Sequence, residues 1–198
     1  ALDRVNLSIP QGQICCIFGE SGSGKSTLLN QLAGMEKPTR GEVFIGGKNI
    51  SRMTENQLAA FRQKHIGFVF QSYNLLPELT AAENVAMPLM FKGNSRSQRL
   101  AMARALLHDS PIYVFDEATS NVDAESENDI MQAIHSLAGK KTIILISHRL
   151  ANVVHSDCIY AMSNGRVIEQ GTHAELLAKQ GAYSRLYLAQ RQLDTLEE

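Results

Sequence analysis

The stretch Ile14-Cys15-Cys16-Ile17-Phe18-Gly19-Glu20-Ser21-Gly22-Ser23-Gly24-Lys25-Ser26-Thr27 decides how the rest of the chain is read. Ile14 to Phe18 is a short β-rich apolar run ending at Gly19, and Ser26 to Leu32 reads as the start of a helix. Between them, Gly19 to Ser26 matches G-x-x-x-x-G-K-[ST] completely, in the strand-to-helix context that gives the motif its meaning. Glycines let the backbone curl so that successive N–H groups point inward at phosphate oxygens. The helix N-terminus adds the positive end of its dipole. Lys25 supplies a mobile point charge for the β- and γ-phosphates, and the Ser26 hydroxyl is placed to bind Mg²⁺. Thr27 is a second hydroxyl, more in keeping with a helix start than with a metal ligand. Gly19, Glu20, Ser21, Gly22, Ser23, Gly24, Lys25, Ser26 and Thr27 are therefore the candidate phosphate-binding residues. The competing reading is a Gly/Ser-rich turn that merely precedes a helix.

Working outward, strands and helices alternate. Strands are expected at Glu42 to Ile45, Ile66 to Phe70, Ile112 to Phe115, Thr142 to Ile146, Ile159 to Met162 and Arg166 to Glu169. Helices are expected at Thr54 to Arg62, Arg99 to Leu107, Glu125 to Leu137 and along the tail from His173 to Leu196. Ile112 to Phe115 and Thr142 to Ile146 are continuous apolar runs, as central parallel strands covered on both faces require. Ser163-Asn164-Gly165 is a hairpin signal. The fold class that follows is α/β: a mainly parallel central sheet with antiparallel edge strands and helices on both faces.

Ile112-Tyr113-Val114-Phe115-Asp116-Glu117 is an apolar strand ending in two carboxylates. A carboxylate at the C-terminal end of a central strand lies at the ligand edge of an α/β sheet. Asp116 is the candidate to hold Mg²⁺, directly or through water, and Glu117 to orient or deprotonate an attacking water. Alone, such a pair is as well explained as a cap for the next helix. Gln71, after the Ile66 to Phe70 strand, can contact both metal and water without adding charge. His148, after Thr142 to Ser147, can bond a γ-phosphate and the attacking water. Each taken singly is more often structural; four strand ends converging on one edge make a site.

Composition bounds the partners. The chain has 198 residues, 44% hydrophobic and 20% charged, ordinary values for a globular domain with a real core. Nineteen Lys plus Arg against twenty Asp plus Glu leave a net charge of -1, so no basic surface for nucleic acid is expected and any phosphate site must be local. The three cysteines have neither metal-ligand nor disulfide-framework spacing. No apolar run is long enough to cross a bilayer.

Taken together, these residues resemble the nucleotide-binding domain of ABC transporters, a P-loop NTPase. Gly19 to Thr27 resembles Walker A, Gln71 the Q-loop glutamine, and Ile112 to Glu117 Walker B with its catalytic glutamate. Ser120-Asn121-Val122-Asp123 is similar to the D-loop, His148 to the switch histidine, and Gln98 to Leu106 to the helix after the signature motif. The resemblance implies catalytic roles for Glu117, His148, Gln71 and Lys25, and Mg²⁺ ligands in Ser26, Asp116 and Gln71. It also implies ATP hydrolysis with Mg²⁺ in a head-to-tail dimer with a second such domain, Asp123 lying at the interface. The partner would be a transmembrane domain, and the location the cytoplasmic face of a membrane. Phe68 to Leu89 resembles stand-alone ATPases of the MacB/LolD type. Glu117 to Ser120, Ser147 to Leu150 and Gly171-Thr172-His173 resemble exporters with a fused ATPase.

Two departures stand out. Aligning Gln98-Arg99 with the family's post-signature residues puts Lys92-Gly93-Asn94-Ser95-Arg96 where an L-S-G-G-Q signature belongs, and most of the helical subdomain is missing. The expected organisation is one ATPase domain over residues 1–198, its signature region and helical subdomain either omitted from the sequence near 91–97 or truly deleted. The family's adenine-stacking aromatic lies upstream of a segment like Ala1 to Pro10. A non-hydrolysing or crippled nucleotide-binding module, and a non-transport ABC ATPase, stand as the alternative functions.

Overall fold

A computed structural model describes residues 2–69, 110–117, 131–132, 134–147 and 153–194. Among them, six strands form one sheet: β1 (Ile14–Gly19), β4 (Ile66–Val69), β5 (Ile112–Asp116), β6 (Thr142–Ile146), β7 (Cys158–Ser163) and β8 (Arg166–Gly171). Their order is β4-β5-β6-β1-β7-β8. All neighbours are parallel except β7 and β8, which close the sheet as an antiparallel hairpin at one edge. This is the P-loop NTPase class of α/β fold.

The continuous apolar strands are explained by burial on both faces. Ile14, Cys16 and Phe18 of β1 point to one side with Ile143, Leu145, Ile159 and Ala161, beneath Met131, Ile134, Leu176 and Tyr183. Ile17 points to the other, with Val114, Ile144, Ile146 and Met162, beneath Leu28 and Leu29 of α1 (Lys25–Leu32). β1 lies inside the sheet with no exposed residue, so the loop at its end starts from a strand buried on both faces and paired on both edges.

Several boundaries differ from the sequence reading. The strand expected at Glu42 to Ile45 is only β2 (Phe44–Ile45); it pairs with β3 (Lys48–Asn49) across Gly46-Gly47 as a separate ribbon. α2 (Glu55–His65) begins at a capping box made by Thr54 and Gln57. The tail expected to be helical from His173 is divided into two helices, α3 (His173–Ala178) and α4 (Ala182–Asp194). The break has a cause distant in sequence. Gln180 takes a left-handed φ of 50°. The two carboxylate oxygens of Glu169 on β8 then accept from the Ala182 and Tyr183 N–H groups, each at 2.8 Å, and start a new helix. Of the helix expected at Glu125 to Leu137, residues 125–130 and 133 lie outside the described residues; 131–132 and 134–135 are helical, and turns follow from Ser136. Phe70, Gln71, residues 91–97, the helix at Arg99 to Leu107, Asp123 and His148 lie outside the described residues.

Candidate functional site

Gly24, at φ 99°, caps α1 without any side-chain hydrogen bond, and the first turn carries no acidic residue. α2 and α3 are both capped by a threonine side chain. The loop thus delivers α1 with its first-turn donors unclaimed by a side-chain cap, the arrangement an anion needs. Lys25 is only 6% exposed. Its ammonium donates to the Gly19 and Glu20 carbonyls, both at 2.9 Å. Burial pushes the Lys25 pKa down, while the charges of Glu117 and Asp116 oppose that shift. The lysine is held on the loop's own carbonyls and stands within the field of the two carboxylates. The Ser23 hydroxyl is buried without a hydrogen-bond partner among the described residues.

The carboxylates arrive on β5. The register sets Asp116 level with Ile146 of β6, and Ile146 level with Ile17 of β1, so one strand separates the acidic strand end from the loop's strand. The gap is bridged at the rim: the Ser26 Oγ donates to Asp116 Oδ1 at 3.2 Å. Burial pushes the Asp116 pKa up, the Ser26 hydrogen bond pulls it down, and neighbouring Glu117 raises it again. A carboxylate in that state gains by meeting a cation. Glu117 sits at a left-handed φ of 48°, its N–H donating to the Ile146 carbonyl at 3.2 Å. A non-glycine residue there costs about 1–2 kcal/mol, and such strain is concentrated where a side chain must be aimed.

The described residues therefore bring together the whole candidate stretch Gly19 to Thr27, with Asp116 and Glu117. β4 and β6 reach the same edge through Val69 and Ile146. Gln71 and His148, expected just beyond those strand ends, are outside the described residues, so their convergence stays an expectation. The sequence reading did not find what stands behind the loop: Leu2, Asp3, Met162, Gly165 and Arg166. The Asn164-Gly165 turn was legible, but no local signal tied it to Ser23 and Asp3, which are far from it in sequence.

The family model for ABC transporters matches residues 2–97. An ABC transporter ATP-binding protein of Haemophilus influenzae is 40% identical over 231 residues, covering 100% of this chain and 41% of the relative. Since the chain supplies 198 residues to that 231-residue match, the relative carries about 33 more over the same span. The lipoprotein-releasing system ATP-binding protein LolD of Chromohalobacter salexigens is 34% identical over 85% of this chain and 85% of its own length. The dimeric, post-hydrolysis structure of the ATP-binding cassette MJ0796 bound to ADP and Pi matches with a TM-score of 0.77 and 32% identity, covering 86% of this chain and 90% of that one. The chain spans less than half the length of the H. influenzae relative but most of LolD. On these grounds the chain belongs to the ABC transporter family, as a nucleotide-binding ATPase domain.

Proposed function

We propose that this chain is the ATP-hydrolysing motor domain of an ABC transporter, a single domain over residues 1–198, working on ATP with Mg²⁺. The observation that carries the reading is the Ser26–Asp116 hydrogen bond at 3.2 Å, which joins the phosphate loop to the acidic strand end. Two hard oxygen donors, one of them a carboxylate whose ionised form is disfavoured by burial, fit a magnesium ion. Ser26 and Asp116 would hold it, with Gln71 as a further ligand, and it supplies charge neutralisation at the phosphates.

The chain's own groups do the rest. The amides of Gly19 to Thr27 receive the phosphates. Lys25 leaves the Gly19 and Glu20 carbonyls for the β- and γ-phosphate oxygens. Glu117 takes a proton from the attacking water, and His148 and Gln71 orient that water. Positioning and charge stabilisation account for nearly all of the catalysis.

The MJ0796 relative is dimeric in its ADP- and Pi-bound state. That supports a second nucleotide-binding domain as partner, head to tail, with Asp123 at the interface. ATP closes this dimer and hydrolysis reopens it, driving a transmembrane domain from the cytoplasmic face of its membrane. Among the described residues no helix is long and apolar enough to cross a membrane. The chain's net charge of -1 argues against nucleic acid as the partner.

The deficit of about 33 residues against the H. influenzae relative, with Lys92 to Arg96 where a signature belongs, favours a second reading. In it the chain binds nucleotide but turns it over poorly. Binding and turnover separate the two. With Mg²⁺, ATP binding by calorimetry is expected in the unaltered chain and expected to fall at least 100-fold in Lys25→Ala. Equal affinity in both would contradict the phosphate site. Binding without phosphate release would support the second reading.

A further inference from the structure

A phosphate loop must aim its N–H groups at the ligand, and something must hold the opposite side of each peptide. In a trans peptide the carbonyl of one residue and the N–H of the next point in opposite directions. The Ser23 carbonyl accepts a hydrogen bond from the Gly165 N–H at 2.9 Å. Gly165 lies at the tip of the β7–β8 hairpin, where Asn164 and Gly165 take left-handed φ values of 49° and 77°. With its carbonyl tied to that tip, the Ser23–Gly24 peptide sends the Gly24 N–H toward the opposite side.

The tip is itself anchored. The Asp3 N–H donates to the Gly165 carbonyl at 2.8 Å. The Asp3 carboxylate accepts from the Arg166 Nε at 2.7 Å and pairs with a second guanidinium nitrogen of the same residue. Arg4, at φ 51°, turns the N-terminal segment so that Leu2 and Asp3 meet the hairpin. Behind Gly24 the packing is already closed. A Cβ there would lie 3.1 Å from the Leu2 Cδ2, 3.4 Å from the Gly165 Cα and 3.7 Å from the Met162 Cε. Two of the four non-glycine residues with left-handed φ among the described residues adjoin this loop's contacts: Glu117, whose charge acts on Lys25, and Asn164, next to Gly165.

We propose that the Ser163–Arg166 turn, latched by Asp3, is a positioning device for the phosphate loop: the Gly165 N–H fixes the Ser23–Gly24 peptide and thereby aims the Gly24 N–H at phosphate. The proposal rests on the phosphate-site reading above. Gly165, Asp3 and Arg166 are positioning residues that touch no ligand. The Asp3–Arg166 pair is exposed, so its removal alone is expected to have an effect of a few-fold. Loss of the turn geometry is expected to have a larger one.

Hydrogen exchange on the nucleotide-free chain tests the bracing. Asp3→Ala and Arg166→Ala should each speed exchange of the amides in residues 19–27 by about two- to fivefold. The strand at 142–146 should keep its parent rate. Gly165→Val, which cannot hold a left-handed φ, should speed the same amides by at least tenfold. Arg166→Lys, retaining the charge, should fall between Arg166→Ala and the parent. Calorimetry with ATP and Mg²⁺ should show affinity weakening in the same order. Unchanged exchange at 19–27 in the first three variants overturns the proposal, as does an equal speeding of all strands. So does faster exchange at 19–27 with no loss of ATP affinity. A parent chain that binds no ATP sinks the phosphate-site reading instead; the exchange comparison, made without nucleotide, decides the bracing by itself.

Discussion

At the residue scale, the site is a small set of charges held out of their preferred state. Burial raises the Asp116 pKa above the ordinary 3.8, so the ionised form is disfavoured in the folded chain. The sign follows from linkage: above 3.8 the carboxylate weakens the empty fold, and protonation as pH falls through the raised value returns that stability. Asp116→Asn removes the disfavoured charge while leaving an acceptor for Ser26. The nucleotide-free variant should melt on the order of 2 °C higher than the parent, while Mg²⁺ should lose its effect on ATP affinity. Both read out by calorimetry; a lower melting temperature with intact Mg²⁺ dependence contradicts the assignment. Lys25 is the counterpart, a cation whose charged form burial disfavours and the two carboxylates favour.

At the element scale, helix ends show where local sequence was sufficient and where it was not. The helix expected from Thr54 does begin there, where Thr54 and Gln57 form a capping box within the segment itself. Between α3 and α4 the decisive group is Glu169, which lies on β8 and reaches the Ala182 and Tyr183 amides from outside the helix. Periodicity along His173 to Leu196 could not reveal it. Glu169→Ala should cost about 1–2 kcal/mol by removing this cap, seen as a lower urea midpoint; an unchanged midpoint contradicts the capping role.

The same corner carries a pH response. The His173 Nδ1 lies 2.7 Å from the Tyr183 hydroxyl, and Tyr183, wholly buried, packs edge-on against Phe18 at 5.5 Å. Burial first, and the neighbouring His155 second, lower the His173 pKa below 6.5. A base depressed in the folded state contributes stability that is complete above 6.5 and is lost as pH falls through the folded value. Melting temperature should therefore drop on acidification from about pH 7 to about pH 5, more steeply in the parent than in His173→Gln. Equal slopes would contradict it.

At the scale of the whole molecule, the strand-loop-helix at Ile14 to Leu32 and the apolar runs at Ile112 and Thr142 made the parallel sheet legible, because strands buried on both faces leave no room for polar alternation. The acidic strand end was legible for the same reason: polarity begins where the sheet stops. The crossing of β6 between β1 and β5, and the docking of the N-terminal segment on the β7–β8 turn, were not. Both are set by long-range packing: β6 joins β1 through pairs such as Ile14 and Ile143, and the N-terminal segment meets the turn through Asp3 and Gly165, each pair more than 100 positions apart.

Sheet, loop and acidic strand end together make one claim about the molecule, that it cleaves ATP with Glu117 activating the water. Steady-state phosphate release with ATP and Mg²⁺, compared between the unaltered chain and Glu117→Gln at matched ATP occupancy, tests it most directly. The expected result is release by the unaltered chain and a fall of about 100-fold or more in the variant; equal rates in the two proteins would contradict it.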